Sequence, residues 1–142
     1  MKIDIPPVND NTAQSDVHFL EDRINEYNVE TTGITDGRIL SFFIRDGRAA
    51  IVAGLYGWTW GGACEIRDLW VRKDMRRRGY GKALMSAAEQ EATVRGCALI
   101  ALDTHSFQAP AFYQRLGFEI IGSHQNYPHG HTKHYLRKIL NK

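Results

Sequence analysis

In residues 69–84, LWVRKDMRRRGYGKAL, an apolar strand runs into a basic turn with two glycines and then into a helix. Gly79 and Gly81 have no Cβ, so the backbone can adopt positive φ and direct successive N–H groups at one anion. A helix that begins near Gly81 adds a positive dipole end, worth about 0.3–2 kcal/mol to a bound negative charge. This stretch therefore predicts a phosphate-binding turn. A diffuse positive field around it comes from Arg76, Arg77, Arg78 and Lys82.

Two commoner phosphate motifs do not fit this spacing. A P-loop needs glycine five residues before the Gly-Lys pair and Ser or Thr after it, where this chain has Arg76 and Ala83. A dinucleotide fingerprint needs a third glycine at the place of Leu84. What remains is Arg-x-x-Gly-x-Gly after a strand. The alternative interpretation is a basic helix start whose glycines serve backbone geometry only.

A second block, residues 108–118 (QAPAFYQRLGF), follows the apolar run 98–103. The chain resembles the GCN5-related N-acetyltransferase (GNAT) family in two motifs. The first is Arg-x-x-Gly-x-Gly after a strand, and the second is a short helix that ends in Tyr-x-x-x-Gly-Phe. The likeness covers about half of the chain strongly and the first half in outline. It implies a single acetyltransferase domain over residues 1–142, with acetyl-coenzyme A (acetyl-CoA) as co-substrate.

Length and composition suit one domain with one core, since the chain has 142 residues of which 43% are hydrophobic. The net charge of +2 and the local grouping of basic residues at 72–78 favour an anion site over a nucleic-acid surface. Cys64 and Cys97 are too few for a disulfide framework, and we expect both to be buried thiols. No signal region or apolar run of ~18 residues is present. We expect a cytoplasmic protein that binds neither nucleic acid nor membrane.

The expected fold is α/β, a GNAT-like mixed twisted sheet of about six or seven strands flanked by three or four helices and splayed where co-substrate and acceptor meet. Asp46-Gly47 predicts a hairpin, and the strand–helix–strand order around the basic turn predicts a parallel pair with a right-handed crossover. Apolar periodicity predicts helices at 12–28 (capped by Thr12 or Ser15), 82–95 and 109–116. Strands are predicted at 1–7, 39–44, 49–56, 64–71, 97–103, 118–122 and 132–139.

The family resemblance implies that the pantetheine arm of the co-substrate lies along the strand that enters the basic turn, bound through its main chain. It also implies contacts after the second apolar strand, although the asparagine frequent there in the family has no obvious counterpart in residues 104–108. The co-substrate residues expected from the resemblance are Leu69, Trp70, Val71, Arg76, Arg77, Arg78, Gly79, Tyr80, Gly81, Lys82, Ser106, Gln108 and Ala109.

Acetyl transfer to an amine needs a base, because a free primary amine has a pKa near that of lysine, about 10.4. Glu65 and Asp68 on the central strand are the candidates, and the family often has a carboxylate at the place of Glu65. Plain alternation puts the two on opposite faces, whereas a strand bulge would turn Asp68 inward. The choice stays open, and the alternative for either carboxylate is a salt bridge to Arg67 or to the arginine cluster, or a place on a solvated face. Tyr113 matches the family tyrosine that protonates the departing thiolate; otherwise it is a buried aromatic.

The function that these features imply is acetyl transfer from acetyl-CoA to a primary amine of a small molecule or peptide, by direct attack in a ternary complex. The alternatives are another acyl donor or an alcohol acceptor, and a non-catalytic acyl-CoA sensor or interaction module. Exposed sheet edges make a homodimer a candidate assembly. Four histidines suggest a metal, but no carboxylate or cysteine joins them at a ligand spacing, so no metal is expected; they are His124, His129, His131 and His134. Aromatic candidates for the acceptor pocket, with one of these histidines, are Trp58, Trp60, Tyr127 and His129.

Overall fold

The computed structural model describes residues 2–141, which fall into two compact units that meet in sequence between Thr35 and Asp36. The first unit contains one helix, α1 (Gln14–Thr32), which ends at Gly33 with φ 72°. Residues 2–13 form neither helix nor strand, so the predicted strand at 1–7 is wrong over its described part; Met1 lies outside the described residues. The physical reason is that two consecutive prolines cannot donate to a ladder and no strand pairs with this segment.

Most residues of helix α1 are exposed, and Val17, Asn28 and Val29 are half-buried. None of its residues is buried, and Phe19, Leu20 and Ile24 are all more than half exposed. Its N-cap is Ala13, with no side-chain capping bond. The Thr12 hydroxyl donates instead to the Asn9 carbonyl at 2.9 Å, so the predicted cap by Thr12 or Ser15 is wrong.

The second unit is a six-stranded mixed sheet in the order β1-β2-β3-β4-β6-β5, in which β3 and β4 are parallel and every other neighbouring pair is antiparallel. The α/β fold class and the parallel pair are thereby confirmed. No helix within residues 2–141 is long and apolar enough to cross a membrane. The strands are β1 (Arg38–Arg45), β2 (Ile51–Trp60), β3 (Ala63–Val71), β4 (Leu99–His105), β5 (Glu119–Gln125) and β6 (Thr132–Ile139). The helices of this unit are α2 (Tyr80–Val94) and α3 (Pro110–Arg115), and a 3-10 turn at Lys73–Met75 precedes α2.

The core lies between the sheet and α2. Alternate residues of the strands, such as Leu40, Leu55 and Ile100, are at most 1% exposed, as period-2 patterning requires. Helix α2 contacts β1, β2 and β3. We call this side of the sheet the core face and the other side the open face. The buried side chains that α2 contributes are Leu84, Met85, Ala88 and Ala92.

A β-bulge interrupts the pairing of β2 with β3. Tyr56 lies opposite Asp68 and Gly57 lies opposite Ile66, which leaves Arg67 as an extra residue on β3. A Cβ at Gly57 would lie 2.1 Å from the Glu65 carbonyl oxygen, so only glycine fits there. The bulge reverses the alternation beyond it and therefore decides which face the later residues of β3 occupy.

Strands β3 and β4 separate after a short contact. Their parallel register covers only Ala63–Glu65 against Leu99–Ala101. Beyond these pairs the sheet opens between residues 66–71 of β3 and residues 102–105 of β4, and we call this opening the β3–β4 cleft. The sheet is thus splayed beside the strand that leads into the basic turn, as the sequence predicted.

Candidate active site

The main chain of β3 offers polar groups to the β3–β4 cleft. The Arg72 N–H donates to the Val52 carbonyl on β2 at 2.8 Å. Because the amides of an extended strand point alternately to its two sides, those of Leu69 and Val71 point away from β2 and into the cleft. The main chain of Trp70, which lies opposite Gly54, points to β2. Of the three strand residues expected to bind the co-substrate, two are therefore oriented for main-chain contacts.

Two residues of the basic turn have positive φ, a feature shared with anion-binding nests. Arg77 has φ 62° and Gly79 has φ 88°, and alternation of left- and right-handed residues turns successive N–H groups to one side. Left-handed φ is uncommon for a residue such as arginine, and such strain often accompanies a functional site. Helix α2 then starts at Tyr80, with its first turn closed by a bond from Ala83 N–H to Gly79 O at 2.9 Å. The amides before Ala83 are the unpaired donors of a helix start.

The two glycines of the turn have different roles. A Cβ at Gly79 would meet no atom within 4 Å, so this residue is glycine for its positive φ. A Cβ at Gly81 would lie 3.3 Å from Cζ of Phe112 on α3, so this residue is glycine for close packing between α2 and α3.

The positive charges of the turn are not all equally available. Arg72 is paired with Asp74 at 2.6 Å and with Asp46 at 3.6 Å, and the hydrogen bond from Arg72 lowers the pKa of the Asp74 carboxyl. Arg76 donates from Nε to the Val71 carbonyl at 2.9 Å, which ties the turn back to β3. The side chains left to supply a positive field around the helix start are exposed, and they are Arg77, Arg78 and Lys82.

The loop between β4 and α3 uses its polar side chains internally. Gln108 Oε1 accepts from the His105 N–H at 2.7 Å and from the Thr104 hydroxyl at 3.3 Å. Ser106 Oγ accepts from the Thr132 N–H at 3.0 Å and so joins this loop to β6. Ala109 precedes α3 and has a half-buried side chain. Co-substrate contacts by Ser106, Gln108 and Ala109 remain predictions.

Tyr113 on α3 is 9% exposed and packs edge-on against Phe112 and Phe118. Burial, and to a lesser degree the charge of Asp103, raises the pKa of Tyr113 to about 12. No hydrogen bond of its hydroxyl occurs within residues 2–141, and no fully buried polar side-chain atom there lacks a partner, so the hydroxyl reaches open space. The result is a protonated phenol that is free to donate.

The bulge at Arg67 places both candidate bases on the open face. Glu65 lies opposite Trp58 and Asp68 lies opposite Tyr56, and Trp58 and Tyr56 are two residues apart on β2. Neither carboxylate forms an ion pair within residues 2–141, which removes the support for a salt bridge to Arg67. The sequence alternative that a bulge reorients Asp68 is the one observed. The open face thus carries two unpaired carboxylates beside two aromatic rings.

Sequence reasoning missed an aromatic and charged cluster on the same face. Asp103 on β4 lies opposite Tyr135 on β6, and Lys133 pairs with Asp103 at 3.8 Å. Tyr127, which was expected near an acceptor pocket, contacts Lys133 with its ring. The signal that could have revealed the cluster is the charged residue at the end of an otherwise apolar strand.

Three histidines join one cluster of rings, in which His105 contacts both Phe107 and Tyr127. His134 Nδ1 lies 2.8 Å from the Ser123 hydroxyl, His131 contacts the Phe107 ring, and His124 contacts the ring of Tyr127. Within residues 2–141 no group of three or more His, Cys, Asp or Glu side chains is arranged to hold a metal ion.

Neither cysteine has the environment of a nucleophile. Cys64 and Cys97 are both buried and unpaired, which confirms the sequence expectation. Burial raises the pKa of the Cys64 thiol to about 11 and also raises that of Cys97. Both thiols therefore stay protonated at neutral pH, whereas the thiolate is the reactive form.

The family model of the acetyltransferase (GNAT) family matches residues 9–118. The chain is 38% identical over 97 residues to blasticidin-S acetyltransferase of Streptomyces morookaense, with 66% of this chain and 69% of that protein covered. It is 36% identical over 104 residues to acetyltransferase Atu2258 of Agrobacterium fabrum, with 73% and 76% covered. A crystal structure from Agrobacterium tumefaciens, assigned as an acetyltransferase, has a TM-score of 0.85 at 30% identity and covers 98% of this chain and 99% of its own.

The family match over residues 9–118 and the two relatives above 30% identity show the class of protein, an acetyltransferase. The chain belongs to the GNAT family. It is an acetyl-CoA-dependent N-acetyltransferase.

Proposed function

We propose that the protein transfers the acetyl group of acetyl-CoA to a primary amine of a small molecule or peptide, by direct attack in a ternary complex. The observation that carries this proposal is that β3 has outward-pointing main chain at the cleft and two unpaired carboxylates on the open face, and the phenol of Tyr113, which has no hydrogen-bond partner within residues 2–141, supports it. The relative from Streptomyces morookaense is named for an antibiotic, which supports a small-molecule acceptor here.

The donor side binds acetyl-CoA through backbone. The helix start after Gly79 faces the pyrophosphate, since its amides and dipole favour an anion. Leu69 and Val71 bond the pantetheine amides along the edge of β3. Both parts belong to one continuous segment, so the thioester end of the arm is delivered to the β3–β4 cleft.

Glu65 or Asp68 removes the proton of the attacking amine, directly or through water. Both are exposed on the open face, where an acceptor can reach them. The face also carries Tyr56 and Trp58, whose ring centres are 6.2 Å apart and which suit a cationic or planar group.

Tyr113 protonates the departing thiolate of coenzyme A. Its pKa of about 12 keeps it protonated through neutral pH, and positioned proton transfer contributes about 10²–10⁴-fold to a rate. Direct attack is favoured over an acyl-enzyme because Cys64 is 0% exposed and its thiol is protonated.

The base is tested by paired isosteric substitutions, Glu65→Gln and Asp68→Asn, followed over pH in a thiol-release assay with acetyl-CoA and a primary amine. The variant that lacks the base should lose about 10²-fold in kcat/KM at pH 7. The loss should shrink as pH approaches the pKa of the acceptor, because a neutral amine needs no base. Two variants with flat, wild-type profiles would contradict a carboxylate base.

The rival function, a non-catalytic acyl-CoA sensor, predicts tight coenzyme A binding with no thiol release on any amine. The free hydroxyl of Tyr113 and the two unpaired carboxylates favour the enzyme, since a sensor requires none of them.

We also propose a homodimer and a cytoplasmic location. The edge strands β1 and β5 are open to pairing, and Ile39 and Phe43 on β1 are more than half exposed. Light scattering of the purified chain tests the dimer. The unpaired thiols support a reducing compartment.

A further inference from the structure

On the open face, side chains of β4, β6 and the turn before β6 surround a cation with two aromatic rings and a carboxylate. The Lys133 ammonium nitrogen is 4.7 Å from the centre of the Tyr127 ring and 5.4 Å from that of the Tyr135 ring. Asp103 Oδ1 is 3.8 Å from the same nitrogen. We call Asp103, Tyr127 and Tyr135 the ammonium cage. Aromatic faces attract cations through the ring quadrupole, and this is how proteins recognise alkylammonium ligands.

The ammonium cage lies on the same face as the candidate bases. Glu65 is the parallel neighbour of Ala101 on β4, and Asp103 lies two residues further along β4 on that face. With about 3.3 Å per residue along a strand and about 4.8 Å between strands, the Cα atoms of Glu65 and Asp103 are roughly 8 Å apart. Asp103 also helps to raise the pKa of Tyr113, which places its charge within electrostatic reach of the phenol.

Lys133 is held in the cage as a charged group. Desolvation acts to lower the pKa of Lys133, but the Asp103 carboxylate and the two tyrosines outweigh it, so this pKa is raised. A protonated amine is not a nucleophile, so Lys133 is poorly suited to accept an acetyl group itself. Its side chain is 17% exposed and that of Asp103 is 49% exposed, so the cage opens to solvent.

We propose that the ammonium cage binds a second cationic group of the acetyl acceptor, and that Lys133 fills the cage when no acceptor is bound. This inference rests on the proposed acetylation of an amine and narrows the acceptor to molecules with an alkylammonium group several ångströms from the reacting amine. The acceptor displaces Lys133, whose flexible side chain moves into water.

Binding tests the cage without any reaction. Hexyltrimethylammonium has no N–H to acetylate, and its affinity is measured by calorimetry for the wild type, Lys133→Gln, Asp103→Asn and the double variant. Lys133→Gln should bind it at least about three-fold more tightly than the wild type, because the internal competitor is gone. Adding Asp103→Asn should then weaken binding by about ten-fold. Ring-proton shifts of Tyr127 and Tyr135 locate the ligand.

The matched control is Glu119→Gln, which removes one carboxylate from an ion pair with Arg137 on the neighbouring strands and should leave the affinity unchanged. Weaker or equal binding by Lys133→Gln would contradict the proposal, because Lys133 would then stabilise the fold rather than compete with the ligand. If Lys133→Gln does not fold, the near-isosteric Asp103→Asn in the wild-type background decides by the same measurement.

Kinetic measurements distinguish a failure of the ammonium cage from a failure of the proposed acetyl transfer. In the thiol-release assay, 1,6-diaminohexane should exceed hexylamine by about ten-fold in kcat/KM, and Asp103→Asn should remove that advantage through KM while Glu119→Gln keeps it. Equal rates for the two amines would overturn the cage. If the wild type acetylates neither amine but the variants bind hexyltrimethylammonium as expected, the proposed function is wrong and the ammonium cage is still supported.

Discussion

The proposed donor and acceptor sides of the β3–β4 cleft use different kinds of groups. On the donor side the groups suited to hold a ligand are main-chain atoms of Leu69, Val71 and the helix start after Gly79. On the acceptor side they are side chains, such as Asp103 and Tyr127, gathered from separate strands and a turn. A site made of main-chain groups tolerates many residue types, provided that they can adopt its φ angles. A site made of side chains depends on the identity of each residue that contributes one. Changes of backbone should therefore damage donor binding, and changes of charge should damage acceptor binding.

The largest effect is expected at Tyr113, the side chain on which the proposed donor reaction depends. Tyr113→Phe keeps the ring and removes the hydroxyl, so turnover should fall by about ten- to a thousand-fold with little change in coenzyme A affinity or melting temperature. A donor with a more acidic leaving thiol should narrow the defect. Tyr27→Phe, at a residue of α1 that is 66% exposed, is the matched control. Unchanged turnover when chemistry limits the rate would reduce Tyr113 to packing.

The bulge is the backbone feature that serves both sides. Gly57→Ala forces a Cβ against the Glu65 carbonyl oxygen and should destabilise the fold by about 3 kcal/mol, measured by urea unfolding. Activity of the remaining folded protein should also fall, because Asp68 loses its orientation. Gly122→Ala on β5, where a Cβ meets nothing within 4 Å, should be neutral. Wild-type stability of Gly57→Ala would show that β3 can shift its register freely.

Alkaline titration tests whether the phenol of Tyr113 is buried. Its pKa in the folded protein, about 12, lies above the ordinary value of 10.0. The stability that comes from the neutral phenol is therefore complete below pH 10 and is lost as pH rises to 12. The loss is up to about 2 kcal/mol. Unfolding of the wild type and Tyr113→Phe should be compared from pH 9 to 12; parallel curves would mean that the phenol is not desolvated.

The smallest predicted effect separates the two glycines of the turn. Gly79→Ala places a side chain at φ 88°, which costs about 1–2 kcal/mol if that shape is kept. Coenzyme A affinity in calorimetry should fall by about ten-fold, and the melting temperature should fall by only a few degrees, because the exposed turn can relax away from that shape. Gly81→Val should lower both, because its side chain meets Phe112. Gly47→Ala, in open space at the β1–β2 hairpin, is the control; undiminished affinity of Gly79→Ala would remove the turn from the binding site.

Local patterns were sufficient for most of the second unit. The alternating run 132–139 predicted β6 with the observed bounds, and Asp46-Gly47 predicted the hairpin, which Asp46 stabilises by accepting from the Arg48 and Ala50 amides. The residue of that turn with positive φ is nevertheless Ala49, at 63°. The first unit was harder, because a segment such as 1–7 has strand-like residues but no partner to pair with.

By itself the sequence determined the order of the strands and helices after residue 38, the glycine turn before α2 and the tyrosine block, since each depends on residues that are close along the chain. Glycine at 79 and the apolar runs of β3 and β4 act through backbone preference and burial, which are local properties. Only the tertiary structure decided that Glu65 and Asp68 share a face, because that depends on how Gly57 of one strand meets the carbonyl of another. The same holds for Asp103, Tyr127, Lys133 and Tyr135, which the strand register brings together around one charge.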